Sequence, residues 1–386
     1  MKKIFTLCFL IGLAKILFAQ TDTSCALRIT LLTCSPGEEL YTSWGHSALR
    51  VENRSNHSDL IYNYGTFDFD DPSFYSKFIQ GKLLYFVSVD SFENFVYEYR
   101  YYQRGITEQV LNLSCEEKQR LSAALQVNAM EANKYYKYDF LSDNCTTRLR
   151  DMVFKNLNGA ITTGNILPHL NITFRNLIHQ YLDSGSEYWS KLGIDILLGE
   201  PLDKEITNNE AMFLPDYLMM GFDSTSISEK RLVAQKTNVL TPTLAKSERP
   251  FLRPFSVFLI LFLAIAALSI SGRAGQFLSI FDIGLFLITG LLGIFLVFMW
   301  FGTDHPECRN NFNIAWAFPL NSIAAFFIYR KQSGWQYYFL SLSFLLIAVL
   351  IGWKWLPQEM DNALIPVVGL LIFRSFTRYK IARYGS

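Results

Sequence analysis

The chain changes character near residue 250, and that change limits what it can fold into. Beyond it, five apolar stretches follow almost back to back, at about 255–271, 277–301, 312–329, 336–355 and 358–373. A hydrocarbon core of about 30 Å needs about 20 helical residues, with ~17 as the short limit. The pattern therefore predicts a transmembrane domain of about five helices over residues 251–386, the first, third and fifth spans being marginal in length. Upstream, apolar residues are interleaved with charge and with many aromatics, as in a water-facing domain.

The first residues, MKKIFTLCFLIGLAKILFAQ, carry two lysines, an apolar run and a small residue at Ala19. This is the pattern of a cleaved signal peptide over 1–19. Export of residues 20–220, followed by a linker over 221–250, orients the spans. The loops containing Arg273 and Arg330-Lys331 and the basic tail then face the cytoplasm, as the positive-inside rule requires. The loop TDHPECRNN and the acidic loop PQEMDN fall on the side of the exported domain. The expected location is the inner (cytoplasmic) membrane, multi-pass, with the N-terminal domain periplasmic. A formal net charge of +1 argues against a nucleic-acid partner, which would want a strongly basic face.

Within the exported part, ALRITLLTC, WGHSALRV and DLIYNYGTF alternate with the period of strands. SFENFVYEYRYY reads as a helix capped by Ser91. SCEEKQRLSAALQVNAMEAN reads as a helix opened by a capping box at Ser114 and Glu117. In YDFLSDNCTTRLRDMVF, Asn144 is a good N-cap, and Cys145, Leu149, Met152 and Val153 share one helical face. A thiol in the first turn of a helix meets unpaired N–H groups and the positive end of the macrodipole, which favour thiolate. Packing, a disulfide and nucleophilic catalysis all remain open for Cys145 on this pattern alone.

A nucleophile needs a base. His57 lies in a polar turn, and His169 and His179 lie in a looser region, whereas His46 sits in the middle of a probable strand after a glycine. The exported cysteines are Cys25, Cys34, Cys115, Cys145 and Cys308, an odd number, so at least one is free or paired between molecules. If Cys145 is the free one the other four can pair, and Cys25 with Cys34 is one guess at the pairing.

The order SWGHSALRV, then YNYGTFDF, then DNCTTRLRD about a hundred residues later resembles the Lnb-type N-terminal periplasmic domain, a family tied to lipoprotein N-acyltransferases. The likeness covers about residues 25–190. TDHPECRNNFNIAWAFPL resembles a motif in the family's membrane part. The resemblance implies an α+β exported domain of permuted papain-like (NlpC/P60-like) fold ahead of the five-helix membrane domain. It implies Cys145 as nucleophile and His46 as base. The orienting third group is expected on the strand next to the histidine, with Asn63 the candidate and Asp68 and Asp143 weaker alternatives. Substrate-binding roles are expected for Trp44, Tyr62, Tyr64, Asp304 and His305, and aromatic surface at Phe67, Phe69, Phe74 and Phe78 would suit an acyl groove.

The implied activity is transfer of an acyl chain, through a cysteine thioester, to the α-amino group of the lipidated N-terminal cysteine of lipoproteins. Lipoproteins and membrane lipids are the expected substrates. No cofactor and no metal is expected, since no second His/Cys cluster with ligand spacing occurs. Two other readings stay in play: a cell-envelope cysteine amidase or peptidase, and a membrane-tethered binding domain.

Overall fold

The computed structural model describes residues 25–39, 42–242, 252–272, 274–332 and 334–384. The expected signal peptide lies outside them. The exported part is built on β1 (Leu27–Cys34), β2 (His46–Asn53), β3 (Ser58–Thr66), β4 (Leu84–Ser91), β5 (Ile106–Leu111), β6 (Tyr135–Lys137), β7 (Ile161–Thr163), β8 (Thr225–Ile227), β9 (Lys230–Arg231) and β10 (Val233–Leu240). Seven of these form one sheet in the order β10-β5-β1-β2-β3-β4-β6 with every pair antiparallel, and β7, β8 and β9 form a second.

The helices of this part are α1 (Phe74–Gln80), α2 (Phe92–Tyr101), α3 (Cys115–Asn128), α4 (Cys145–Lys155), α5 (Phe174–Ser184), α6 (Tyr188–Leu197), α7 (Asn208–Ala211) and α8 (Pro215–Ser224). The two-residue alternation of the strands divides the core. Ile29, Leu31, Leu49 and Tyr62 pack with Leu121 of α3, Leu149 of α4 and Phe222 of α8. On the other face, Leu32, Cys34, Ala48 and Ile61 pack with Phe95 and Tyr99 of α2. The expected capping box is present at Ser114 and Glu117, and Ser91 caps α2.

Two expectations for this part need correction. Residues 221–250 are not a linker throughout: β10 pairs with β5, so the folded exported part runs on to Leu240, past residue 220. Cys25 is bonded to Cys115, not to Cys34. Cys34 ends the strand that begins two residues after Cys25, and at ~3.3 Å per residue a strand of this length holds its ends far beyond the ~7 Å disulfide limit. Residues 208–224 fold as two helices, α7 and α8, parted just before Pro215.

The C-terminal part holds α9 (Pro254–Ser271), α10 (Gly275–Phe301), α11 (Asn321–Tyr329), α12 (Gln336–Gly352) and α13 (Ile365–Tyr384). Among the described residues, α9 and α10 are long and apolar enough to cross a membrane, and α12 is a shorter apolar helix. The third expected span is not one continuous helix. Residues 312–315 form a 3-10 turn and the α-helix begins only at Asn321, after Pro319. The fifth helix begins at Ile365 instead of 358 and continues into the basic tail.

The two parts are joined by polar contacts on the loops after α10 and after α12. The last carbonyls of α6 lack intrahelical partners, and Asn311 Nδ2 donates to Ile196 and Leu197 at 2.9 Å each. Asn313 Nδ2 donates to the Asp195 carbonyl at 2.9 Å, and Gln358 Nε2 to that of Leu198 at 3.0 Å. Both loops therefore lie on the side of the exported domain.

Candidate active site

Asn144 sets where α4 begins. Its Oδ1 accepts from the Thr147 N–H at 2.9 Å, and the Thr147 hydroxyl accepts from the Asn144 N–H at 2.8 Å. Its Nδ2 donates to the Phe140 and Phe213 carbonyls at 2.7 and 2.8 Å, fixing the cap to two other segments. Cys145 is thus the first helical residue, where N–H groups have no acceptor in the helix. The backbone N–H groups of Ser47, Thr146 and Cys145 lie near enough to its sulfur to favour the thiolate. Leu149 and Val153, on the same helical face, are fully buried against the sheet.

His46 is the first residue of β2, at its end and not in its middle, and pairs across to Cys34 of β1. The β2–β3 ladder closes at Leu49 opposite Tyr62, so the two strands part before His46. Glycines allow the close approaches here. Gly45, at φ +80, would place a Cβ 2.5 Å from the Cys34 carbonyl oxygen. Gly65, at φ +89, would place one 3.5 Å from Cys145 Cβ, so the β3 backbone passes directly beside the thiol. Both conformations favour glycine.

His46 Nε2 is hydrogen-bonded to Asn63 Oδ1. A carboxamide oxygen accepts, so Nε2 carries the proton and Nδ1 keeps a free lone pair. Burial lowers the His46 pKa to about 4; the Asn63 bond works against this and the Arg104 charge adds to it. Burial also raises the Cys145 thiol to about 11, partly offset by the N–H groups at its sulfur. At neutral pH both the thiol and the imidazole are therefore neutral.

Cys145, His46, Asn63 and Trp44 line one cavity of about 760 Å³. Trp44 packs edge-on against Phe140, ring centres 5.2 Å apart, and its Nε1 is enclosed without a hydrogen-bond partner. On the β4 and β6 side the wall is aromatic. Tyr138 stacks on Tyr85 at 4.4 Å, Tyr85 meets Phe67 at 5.4 Å, and Phe67 meets Phe69 at 4.6 Å. The series continues beyond the cavity through Phe74 to Phe78 of α1. There His305 Nε2 donates to the Phe78 carbonyl at 2.9 Å, and the Asp304 N–H donates to that of Gln80 at 2.8 Å.

Other expected site residues lie elsewhere. Tyr62 and Tyr64 are buried in the core beneath α4 and do not line the cavity, and the Tyr64 hydroxyl donates to Asn128 at 2.7 Å. Parity explains it: neighbouring residues of a strand face opposite ways, so β3 cannot turn Asn63 toward His46 and also Tyr62 and Tyr64. Asp304 is ion-paired with Lys137 at 3.1 Å, so it and His305 join the two domains at α1 and β6, outside the cavity lining. Asp143 pairs with Arg148 at 2.6 Å, and Asp68 accepts from the Asp70 N–H at 2.9 Å. Neither orients the histidine. Arg104 and Tyr99, which no sequence pattern marks, also line the cavity, with Tyr101 and Tyr102 beside them and Arg104 next to β5 at the far side of the sheet from β4 and β6.

The Lnb N-terminal periplasmic domain family model matches residues 17–180, and the Lnb transmembrane domain model matches residues 246–384. No curated protein and no solved structure matches the chain.

Proposed function

Because the chain belongs to the Lnb-type family, as a membrane protein with an extracytoplasmic N-terminal domain, we propose that it is a thiol acyltransferase that N-acylates lipoproteins. We place it in the inner membrane as a multi-pass protein, with an exported domain of permuted papain-like fold. The observation that carries this reading is the cavity. A helix-start cysteine and an asparagine-oriented histidine open into one space whose aromatic wall leads toward the membrane loop at His305.

His46 Nδ1 takes the Cys145 proton as the sulfur attacks an ester carbonyl of a membrane lipid or lipoprotein. The oxyanion forms beside the backbone N–H of Cys145, where donors are already in place. The C–O bond breaks, the alcohol leaves with the proton held by His46, and an acyl thioester remains. The α-amine of the lipidated cysteine then attacks the thioester. His46 accepts the amine proton, the C–S bond breaks, and the returning proton restores the thiol while an amide is released. Asn63 keeps the ring in the tautomer this needs. Neutral partners suit the work, because the proton moves only as the bond to carbon forms.

Mass spectrometry of lipoprotein N-termini tests this, in a strain lacking the protein and complemented with wild type, Cys145→Ala or Asn63→Ala. N-acylation should vanish in the deletion, return with wild type, stay absent with Cys145→Ala, and return with about 10–100-fold lower initial rate with Asn63→Ala. Unchanged N-acylation in the deletion strain would refute the reading. Release of cell-wall peptide products instead would move the protein to the amidases.

A further inference from the structure

Arg104 precedes β5, whose Ile106 pairs with Cys34, which in turn pairs with His46. The guanidinium thus stands at the same end of the sheet as His46, two strands away, on a wall of the cavity. Its Nε donates to the Ser35 carbonyl at 2.9 Å, and its carbon lies 4.7 Å from the Tyr99 ring centre. Those contacts fix the plane of the group but do not neutralise it. The residue is 9% exposed, its Nη2 is enclosed without a hydrogen-bond partner, and it makes no ion pair among the described residues. The carboxylates that share the cavity, Glu38, Glu39 and Glu98, are exposed and unpaired with it. A buried cation without a counter-charge is costly, and this one lowers the basicity of His46.

We propose that Arg104 is an anion subsite of this cavity and that the anion it takes is the phosphodiester of a glycerophospholipid, which makes such a lipid the acyl donor. The inference rests on the acyl-transfer reading of the same cavity. The walls divide as such a molecule divides. Tyr85, Tyr138 and Phe67 on the β4 and β6 side accept an acyl chain, Cys145 and His46 at the middle strands meet the ester, and Arg104 on the β5 side meets the head. A guanidinium offers phosphate oxygens a planar fork of donors. A diacylglyceryl group without phosphate leaves that fork empty.

The test uses the full chain in detergent micelles and two non-reactive probes with the same chains, ether-linked phosphatidylethanolamine and dialkylglycerol. The first has no net charge, so general attraction to cations does not favour it. Binding is read by native mass spectrometry. Wild type should prefer the phosphodiester probe by about tenfold or more, Arg104→Gln should bring the ratio near one while still binding dialkylglycerol, and Arg104→Lys should keep part of the preference. An Arg104→Gln protein that keeps the wild-type ratio, or a wild type with none, overturns the proposal. A parallel arm follows acylation of Cys145 by ester-linked phosphatidylethanolamine. If no ester lipid acylates Cys145 while the binding ratios behave as expected, the subsite is retained and the acyl-transfer reading is lost.

Discussion

Alkylation of Cys145 by iodoacetamide is expected to climb with pH across the whole range from about pH 6 to about pH 10. Burial moves the two partners in opposite directions, the thiol up to about 11 and the imidazole down to about 4. A raised thiol pKa keeps the proton on sulfur, and a lowered imidazole pKa keeps it off nitrogen, so both groups are neutral throughout the interval between. At pH 8 a thiol of pKa about 11 is thiolate in roughly one molecule in a thousand, against about one in four for an unperturbed cysteine near 8.5. Labelling should then be about 15–25-fold slower than that of a free thiol, since greater intrinsic nucleophilicity recovers about tenfold or more of the ~240-fold deficit. It should rise about tenfold per pH unit. The measurement is a time course on the full chain in detergent, read by peptide mass spectrometry at Cys145, with the buried Cys34 and Cys308 as slow internal references. A rate constant over about pH 5 to 9 would mean a preformed thiolate–imidazolium pair and refute this reasoning. His46→Ala should leave the slope unchanged while lowering the proposed acyl transfer by about 10²–10⁴-fold, because in that mechanism the histidine moves a proton during attack and does not hold a standing thiolate.

Two further outcomes concern the frame around the site. Removing the Cys25–Cys115 bond with a double serine substitution opens a loop of sequence separation 90. It should cost about 4–5 kcal/mol and lower the melting temperature by about 10 °C in a thermal melt. Asn144→Ala removes a helix cap, leaves the Phe140 carbonyl without its donor and leaves the Phe213 carbonyl with the Thr146 hydroxyl as its remaining donor. The sum is about 3–5 kcal/mol. Asn144→Asp should lose a comparable amount despite keeping the cap oxygen, and an aspartate variant as stable as wild type would show that the two carbonyl contacts contribute little.

The parts of the site legible from sequence were those with a strong local pattern. Alternation located β1, β2 and β3, and Asn144 before an apolar helical face located the start of α4. The family resemblance named His46 and Asn63, and the hydrogen bond between them depends on a diagonal step across two strands that no local pattern encodes. Expecting Asn63, Tyr62 and Tyr64 together at the site overlooked the parity of β3. No local pattern marks β10, because an edge strand exposed along AQKTN needs few apolar residues. Arg104 left no mark in YYQRGIT, since its importance comes from what β5 and β1 bring beside it.

The membrane part enters the argument through polar contacts as much as through apolar length. Asn311 and Asn313 lie in the loop that shortens the third apolar stretch, and both serve carbonyls at the end of α6. In the same loop Glu307 Oε1 accepts from the Phe140 N–H at 3.2 Å, and Phe140 carries the carbonyl to which Asn144 donates. One chain of hydrogen bonds thus runs from the membrane loop, through Phe140 and Asn144, to the first turn that holds the Cys145 sulfur. A domain on a slack tether would let its cavity wander in height above the bilayer, and an ester buried near the headgroups would reach the thiol only by chance. A domain held at α1, at β6 and at the end of α6 keeps the aromatic wall at one height and one angle. Under the proposed acyl transfer, a lipid substrate then needs to rise only along that wall, and orientation of this kind supplies a large share of the acceleration in a two-substrate transfer.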